Sequence, residues 1–279
     1  MKLSVSCSVF VSISLFVAVL FFFPQSAAAL DAVPVPAGIS LPGPAAEALR
    51  QGRGGVSNDV IAASILGLPY RVDGALDKAG GYTLFADRTK RFNTPGLNCS
   101  GLVLQLSRML LGKNYSLDDA VRDRKNDSGP DSPHGHDWDF GWDLILNVSE
   151  GFSRRFLMPG NKTMDVRAAA ALKNRGFDCQ KDATWKELSR RFSPGRIYLV
   201  SLNVEGRRKG YGLTHYHVGI VYVASTGEAW FYQTTGKGGG ANRRDLKSRE
   251  GQNSFKKAFA NTGNNRRMMA VLEVDLPPR

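Results

Sequence analysis

The chain has 279 residues, a formal net charge of +12 and a pI of about 9.8, and 42% of its residues are hydrophobic. This length and apolar content are enough for one domain with a buried core. The positive charge favours an anionic partner, and half of the excess lies in residues 236–279, which hold ten Lys or Arg against four Asp or Glu. Because no recognisable nucleic-acid-binding motif accompanies the charge, nucleic acid is excluded as the expected partner.

The amino terminus has the features of a secretory signal peptide. Lys2 precedes an apolar run at residues 9–23, and small residues follow at 26–29. We therefore expect residues 1–29 to be removed on export, leaving no stable membrane span. Residues 30–56 are rich in Pro, Ala and Gly and predict an extended leader, with order beginning near Ser57.

Two helices are predicted in the first half of the remaining chain, residues 57–279. Ser57 or Asn58 can cap a short helix that ends near Gly67. After an insertion at residues 75–98, a second helix opens at Cys99 and ends at Gly112. Its apolar residues follow the spacing of a buried helical face, at Leu102, Leu106, Met109 and Leu110.

The second half predicts further helices and then strands. Polar residues 122–143 read as a long loop within an insertion at 122–162, a helix follows at 163–175, and Thr184 opens another with a capping box. Runs at 197–202, 218–224, 229–234 and 269–276 are rich in β-branched and aromatic residues and predict strands, with a hairpin turn at 225–228. Helices followed by antiparallel strands indicate an α+β fold.

Cys99 and Cys179 remain after removal of the leader. In an oxidising compartment such a pair can form a disulfide, and this alternative stays open. Cys99 nevertheless opens a helix, where the helix dipole lowers the pKa of a thiol, whereas Cys179 follows a predicted helix and reads as an incidental thiol. A thiol with a nearby base is a nucleophile, so the sequence predicts a cysteine hydrolase.

Two histidines are candidates for that base. His215 and His217 are two residues apart just before the strand predicted at 218–224, and if that strand extends to include them they share a face, so either can reach Cys99. Gln233 lies on the next predicted strand, where it can orient an imidazole.

Five segments, taken in order, carry a resemblance to a known family. The chain resembles the NlpC-type papain-like cysteine peptidases of bacterial cell walls over about residues 57–235, at 67–74 (GLPYRVDG), 98–103 (NCSGLV), 194–198 (PGRIY), 217–222 (HVGIVY) and 232–233 (YQ). The resemblance implies a papain-like α+β fold. In it Cys99, at a helix N-terminus, packs on a small antiparallel sheet carrying His217 and a third polar residue.

The resemblance also implies roles for the site residues. It selects His217 as the base and Gln233 as its orienting group, and makes His215 a rim residue that touches substrate. It places the Tyr70 hydroxyl near the oxyanion, where the main-chain amide of Cys99 can also donate. Ser100 and Asn98 flank the nucleophile in the oxyanion and substrate region. Asn98 replaces the acidic residue of members that recognise a free amine, which argues against recognition of an uncapped amino terminus.

A metal site is the competing interpretation of the loop that holds His134, His136, Asp137 and Asp139. Two histidines two residues apart can chelate zinc, but no third well-spaced ligand is evident outside the loop. We therefore expect neither a metal nor another cofactor. The insertion is instead expected to shape a substrate cleft, with Trp138 and Trp142 as apolar walls.

The function predicted from the sequence is a secreted cysteine peptidase or amidase of the periplasm or extracellular space. It would cleave an amide in peptidoglycan stem peptides through an acyl-enzyme, with peptidoglycan or another anionic wall polymer as partner. Two alternatives remain open. The same residues can transfer the acyl group to an amine or lipid, or act on another amide or ester. A degenerate peptidase fold can also serve as a non-catalytic wall-binding module.

Overall fold

The computed structural model describes residues 30–124, 140–166, 176–205, 213–237, 239–263 and 265–278. The predicted signal peptide and the loop from His134 to Asp139 lie outside these residues. Across the described ranges, no helix has both the length and the apolar character needed to cross a membrane.

Helices and antiparallel strands alternate along the chain. The helices are α1 (Gly43–Arg50), α2 (Asn58–Ser64), α3 (Cys99–Leu111), α4 (Leu117–Val121), α5 (Phe140–Asn147), α6 (Asp182–Arg191) and α7 (Arg249–Ala258). The strands are β1 (Gly74–Leu76), β2 (Tyr82–Leu84), β3 (Arg154–Met158), β4 (Lys162–Met164), β5 (Phe177–Asp178), β6 (Arg196–Glu205), β7 (Leu213–Val223), β8 (Ala229–Thr235), β9 (Gly240–Asp245) and β10 (Arg267–Asp275).

In the described part of the chain, β1 and β2 form a small hairpin and the other strands form one eight-stranded sheet. Its order is β4-β3-β10-β6-β7-β8-β9, with β5 added against β10. Every pairing is antiparallel. The predicted turn at 225–228 closes the β7–β8 hairpin, where the Ala224 N–H donates to the Glu228 carbonyl at 2.9 Å, so this prediction is confirmed.

The sheet is covered on both faces because its strands alternate between two apolar sets. One face packs with α3 and α5 in a core that includes Leu106, Leu144, Leu199, Ile220 and Tyr232. The other face packs with α6 and α7 in a second core that includes Trp185, Val200, Val221, Phe231 and Phe255. We refer to these as the α3 face and the α7 face.

Helix α3 has the boundaries expected from its sequence. Asn98 is the N-cap, and its side chain accepts from the Gly101 N–H at 2.8 Å, while Gly112 ends the helix in the left-handed conformation at φ 62°. A Cβ on Gly101 would lie 2.2 Å from the Gly74 carbonyl oxygen, so only glycine lets the first turn of α3 press against β1 at this distance. The start of α3 is therefore fixed by main-chain contact.

Residues 30–56 differ from the extended leader that was expected. They contain α1 and place Val33, Leu49 and Val56 in the core on the α3 face. Gln105 on α3 donates to the Pro34 carbonyl at 3.1 Å, which ties the segment to the helix. Order thus begins well before Ser57, which caps α2 as predicted by accepting from the Asp59 N–H. The composition of residues 30–56 does not predict this order, because a few buried apolar residues among prolines and glycines are enough to anchor a segment.

Three predictions between residues 122 and 191 are wrong in part. Residues 140–143 belong to α5, whose apolar side chains pack into the core, and are not loop. Residues 162–164 form β4, because they pair with β3, so the helix predicted at 163 does not begin there, and its remainder falls largely outside the described residues. Helix α6 begins at Asp182, since the Thr184 hydroxyl donates back to the Asp178 carbonyl at 2.9 Å and forms no capping box.

Candidate active site

Cys99 is the first residue of α3, and its side chain is partly exposed. The Asn98 N–H donates to the Gly74 carbonyl at 2.9 Å, which anchors the chain just before the helix. At the start of a helix the first main-chain N–H groups have no intrahelical acceptor. The N–H groups of Cys99 and Ser100 therefore point out of the helix beside the thiol, in the field of its positive end.

The start of α3 is inserted where β7 and β8 separate. These strands pair from Val223 and Ala229 as far as Ile220 and Tyr232. Beyond that point, the main chain of Val218 contributes to the lowered pKa of the Cys99 thiol. On the other strand, the Thr234 hydroxyl donates to the Leu97 carbonyl at 3.5 Å. The separated strands thus hold the thiol at the point where His217 extends from β7.

The imidazole of His217 is held in one orientation. Its Nε2 lies 2.8 Å from Gln233 Oε1, and the two side chains are 7% and 1% exposed. The charge of the imidazole acts on the Cys99 thiol and lowers its pKa. Because Nε2 is engaged by Gln233, Nδ1 is the ring nitrogen left available for proton transfer. The ring of Phe259 packs against the imidazole with 5.3 Å between centroids.

The surroundings of Cys99 favour its thiolate. Burial alone raises the pKa of a thiol, but the charge of His217 and hydrogen bonds from His217, the Val218 N–H and Ser100 outweigh it, so the pKa of Cys99 is lowered. The thiol is thus more acidic than an ordinary cysteine, which favours its nucleophilic form.

Tyr70 and Ser100 both interact with the Cys99 side chain. The pKa of the Tyr70 hydroxyl is raised by burial and by the negative charges of Cys99 and Asp73, which places it in the same electrostatic field. Its ring packs over Gly236, where a Cβ would lie 3.3 Å from the ring. Ser100 is buried, with Oγ 4.0 Å from the Cys99 sulfur. The assignment of Tyr70, Ser100 and Asn98 to the oxyanion and substrate region stays a prediction.

The two histidines lie on opposite faces of the sheet, so the expectation that they share a face is wrong. A β-bulge at Tyr216 places His217 opposite Leu202 and His215 opposite the next residue of β6, Asn203. Residues opposite each other in a sheet share a face, and neighbours on one strand do not. His215 accordingly packs on Phe140, with 5.6 Å between ring centroids, on the α3 face. Burial, with the His217 charge, lowers the pKa of His215 to about 3.

Asn242 on β9 supports Gln233, and sequence reasoning missed it. The Gln233 Nε2 donates to Asn242 Oδ1 at 3.3 Å, and the Asn242 Nδ2 donates to the Gly240 carbonyl at 2.9 Å. These bonds fix which end of the Gln233 amide faces His217. The polar sequence of β9 does not predict a strand, so no signal pointed to Asn242.

Cys99 and Cys179 are both free, so the alternative of a disulfide between them is wrong. Cys179 is fully buried next to β5, and burial raises the pKa of its thiol far above the ordinary value. Of these two thiols, Cys99 is the one with the lowered pKa. Among the residues that the structure describes, no group of three His, Cys, Asp or Glu is arranged to hold a metal.

Comparison with protein-family models and with curated proteins finds no match. Two solved structures are weakly similar. A Legionella pneumophila protein of the DUF1460 family is 13% identical, with a TM-score of 0.42, and the match covers 79% of this chain and 88% of that one. An N-acetylmuramoyl-L-alanine amidase from Bacteroides uniformis is 15% identical, with a TM-score of 0.36, over 77% and 96% of the two chains. At these scores neither similarity establishes a shared fold or activity.

Proposed function

We propose that this protein is an exported papain-like cysteine hydrolase that cleaves an amide bond in peptidoglycan stem peptides. The observation that carries the proposal is the Cys99 thiol at a helix N-terminus, with its pKa lowered by the charge of an imidazole that Gln233 holds through Nε2. The peptidoglycan substrate is supported by the order of five sequence motifs. The proposed reaction chemistry depends on the three side chains and not on the motifs.

In the proposed acylation step, the Cys99 thiolate attacks the carbonyl carbon of the amide, forming a C–S bond. The Nδ1–H of the His217 imidazolium gives its proton to the leaving amine as the C–N bond breaks. The Cys99 N–H, with the Tyr70 hydroxyl, donates to the oxyanion that develops on the carbonyl oxygen.

In the deacylation step, water attacks the thioester, and Nδ1 of His217 removes its proton. The C–S bond breaks, the peptide leaves as a carboxylic acid, and the thiolate–imidazolium pair is restored. Gln233 accepts from Nε2–H throughout, which keeps Nδ1 directed at the sulfur and stabilises the positive imidazole. A neutral orienting group is sufficient, since a thiol is far more acidic than a serine hydroxyl.

The test is mass spectrometry of purified peptidoglycan fragments after incubation with the mature protein under reducing conditions. We expect new fragments from the wild type and none from Cys99→Ala. The matched control is Cys179→Ala, which should cleave normally because Cys179 is buried and unreactive. Turnover retained by Cys99→Ala would refute the mechanism.

The same experiment separates the two alternatives. Amine adducts of the released acyl group, seen when a small amine is added, would identify an acyltransferase, because a thioester does not dictate its acceptor. If the protein binds cell-wall sacculi but Cys99 is not alkylated under mild conditions, the protein is a binding module without catalysis.

A further inference from the structure

Tyr216 forms a platform beside the imidazole of His217. It is the extra residue of the bulge on β7, and its side chain is 40% exposed. The centroid of its ring lies 6.5 Å from that of His217. The rings of Phe259 and Tyr216 pack edge to face, with 6.3 Å between their centroids. A molecule bound at Cys99 and extending past His217 on this side therefore meets the Tyr216 ring.

The guanidinium of Arg267 lies over this platform. Its Cζ is 3.9 Å from the centroid of the Tyr216 ring, and the residue is only 9% exposed. Its Nε is buried and donates to no acceptor. The neighbouring Arg266 forms ion pairs with Asp178 and Glu205, whereas no carboxylate among the described residues pairs with Arg267. Arginine remains charged at all ordinary pH values, so a cation this buried is costly unless an anion approaches it.

A second unpartnered polar group lies on the same face. Val204 on β6 is opposite Arg267 on one side and opposite Thr214 on the other, so these two residues flank it on one face of the sheet. The Thr214 hydroxyl is also buried without a partner. Two hydrogen-bond donors, one of them charged, are thus without a partner on the same face of the sheet, one on each side of β6.

We propose that Arg267 and Thr214, with Tyr216 as a wall, form a subsite for a carboxylate of the substrate. A guanidinium stacked on an aromatic ring keeps its N–H fork free in its own plane, and that fork matches a carboxylate. The hydroxyl of Thr214 supplies a further donor. The subsite rests on the proposed function, since it takes the peptide cleaved at Cys99 as its ligand.

Distance limits which carboxylate is bound. From the 6.5 Å and 3.9 Å separations, the Cζ of Arg267 lies within about 10.4 Å of the imidazole centroid of His217. An extended peptide spans about 3.3–3.6 Å per residue, so the carboxylate belongs to one of roughly three residues next to the scissile amide. Two sources fit this range: the terminal carboxylate of a short stem peptide, and the free carboxylate of an acidic residue within it.

The test uses three muramoyl tripeptides: one with all carboxylates free, one with a terminal carboxamide, and one with the internal carboxylate amidated. We expect the wild type to lose about tenfold to a hundredfold in kcat/KM on one of the two amides, mainly through KM. The affected amide identifies the source. Arg267→Gln should show the same loss of kcat/KM on the peptide with all carboxylates free. On the affected amide peptide it should cleave as fast as the wild type does. Arg267→Lys should recover part of the loss, because it keeps the charge without the fork.

The matched control is Arg243→Gln. Arg243 also stacks on an aromatic ring, with Cζ 4.0 Å from the Trp230 centroid, but it bonds Tyr232 on the α3 face. It should leave the discrimination between acid and amide unchanged. Thr214→Val keeps the shape of the side chain and should lose a smaller factor in kcat/KM on the free-acid peptide. If Arg267→Gln does not fold, this variant tests the subsite in its place. Equal cleavage of all three peptides by the wild type would overturn the subsite while the proposed function stands.

If the wild type cleaves none of the peptides, the proposed function fails and the subsite is judged by binding alone. Calorimetry of the same three peptides with Cys99→Ala and with Cys99→Ala/Arg267→Gln then gives the result. A preference for the free acid that disappears in the double variant supports the subsite. Equal binding of all three peptides refutes it.

Discussion

Replacing Gln233 by leucine removes the acceptor of the His217 Nε2–H while keeping a side chain of similar size. The 2.8 Å bond is buried, and in the thiolate–imidazolium pair its donor is charged. A hydrogen bond to a charged group contributes about 1.5–3 kcal/mol. Since one pKa unit corresponds to about 1.4 kcal/mol, the loss should raise the pKa of Cys99 by about 1–2 units.

Alkylation of Cys99 by iodoacetamide, followed by mass spectrometry across a wide pH range, measures this shift directly. The thiolate is the reacting form, so the rate rises with pH through the pKa of Cys99. In the wild type this rise should occur below the pH of an ordinary thiol, and in Gln233→Leu it should move upward. The direction follows because Gln233 stabilises the positive imidazole, which in turn stabilises the thiolate.

Gln105→Leu is the matched control. Gln105 is another fully buried glutamine, farther along α3, which donates to the Pro34 carbonyl and accepts from Arg108. Both variants should lose stability, but only Gln233→Leu should shift the alkylation profile. Profiles that coincide with the wild type for both variants would show that Gln233 does not support the charged pair.

Other perturbations follow from the same contacts. His215→Gln should remove a pH dependence of stability. Because the native pKa of His215 is lowered to about 3, the free energy of unfolding of the wild type should be constant above about pH 6.5 and fall by about 1.4 kcal/mol per pH unit below it. If wild type and variant lose the same stability between about pH 6.5 and about pH 4 in denaturant titrations, this reasoning is wrong. Gly101→Ala should lower the free energy of unfolding by about 1–3 kcal/mol and abolish most of the turnover, because its Cβ would meet a main-chain oxygen at 2.2 Å. Gly43→Ala, where the added Cβ has open space, should change neither stability nor turnover. Deleting residues 30–56 should abolish cooperative thermal unfolding, since each of three core residues it removes contributes about 1.5–3 kcal/mol by burial, and a cooperative transition in the deleted protein would contradict it.

Much of the site could be predicted because its parts follow local rules. Helix α3 carries a cap, an apolar period and a terminal glycine, so its start at Cys99 was readable from residues 98–112. The turn at 225–228 sets the register of β7 and β8, and continuing that register makes His217 and Gln233 diagonal neighbours on one face. A helix start and a hairpin were therefore enough to bring these residues together, whereas the choice of His217 over His215 came from the family resemblance.

The remaining features depend on contacts that no local pattern encodes. Strand β9 is polar and rich in arginine, and it pairs because β8 offers it an edge, so Asn242 could not be anticipated. The bulge at Tyr216 is one extra residue, which an alternating sequence does not reveal, and it reversed the expected face of His215. Tertiary contact also decided residues 30–56, where three buried side chains outweigh a composition typical of a linker.

The bulge on β7 makes one residue dispensable for strand pairing. Leu202 and Asn203 pair with His217 and His215, and Tyr216 has no partner of its own across β6. A chain that lost Tyr216 would keep both pairings and both faces, since adjacent residues would then alternate normally. Related proteins can accordingly gain or lose this single aromatic residue, and with it the neighbour on which Arg267 rests, while the histidine that faces Cys99 stays where it is. Substrate preference and reaction chemistry are in this way able to diverge independently through a one-residue insertion or deletion.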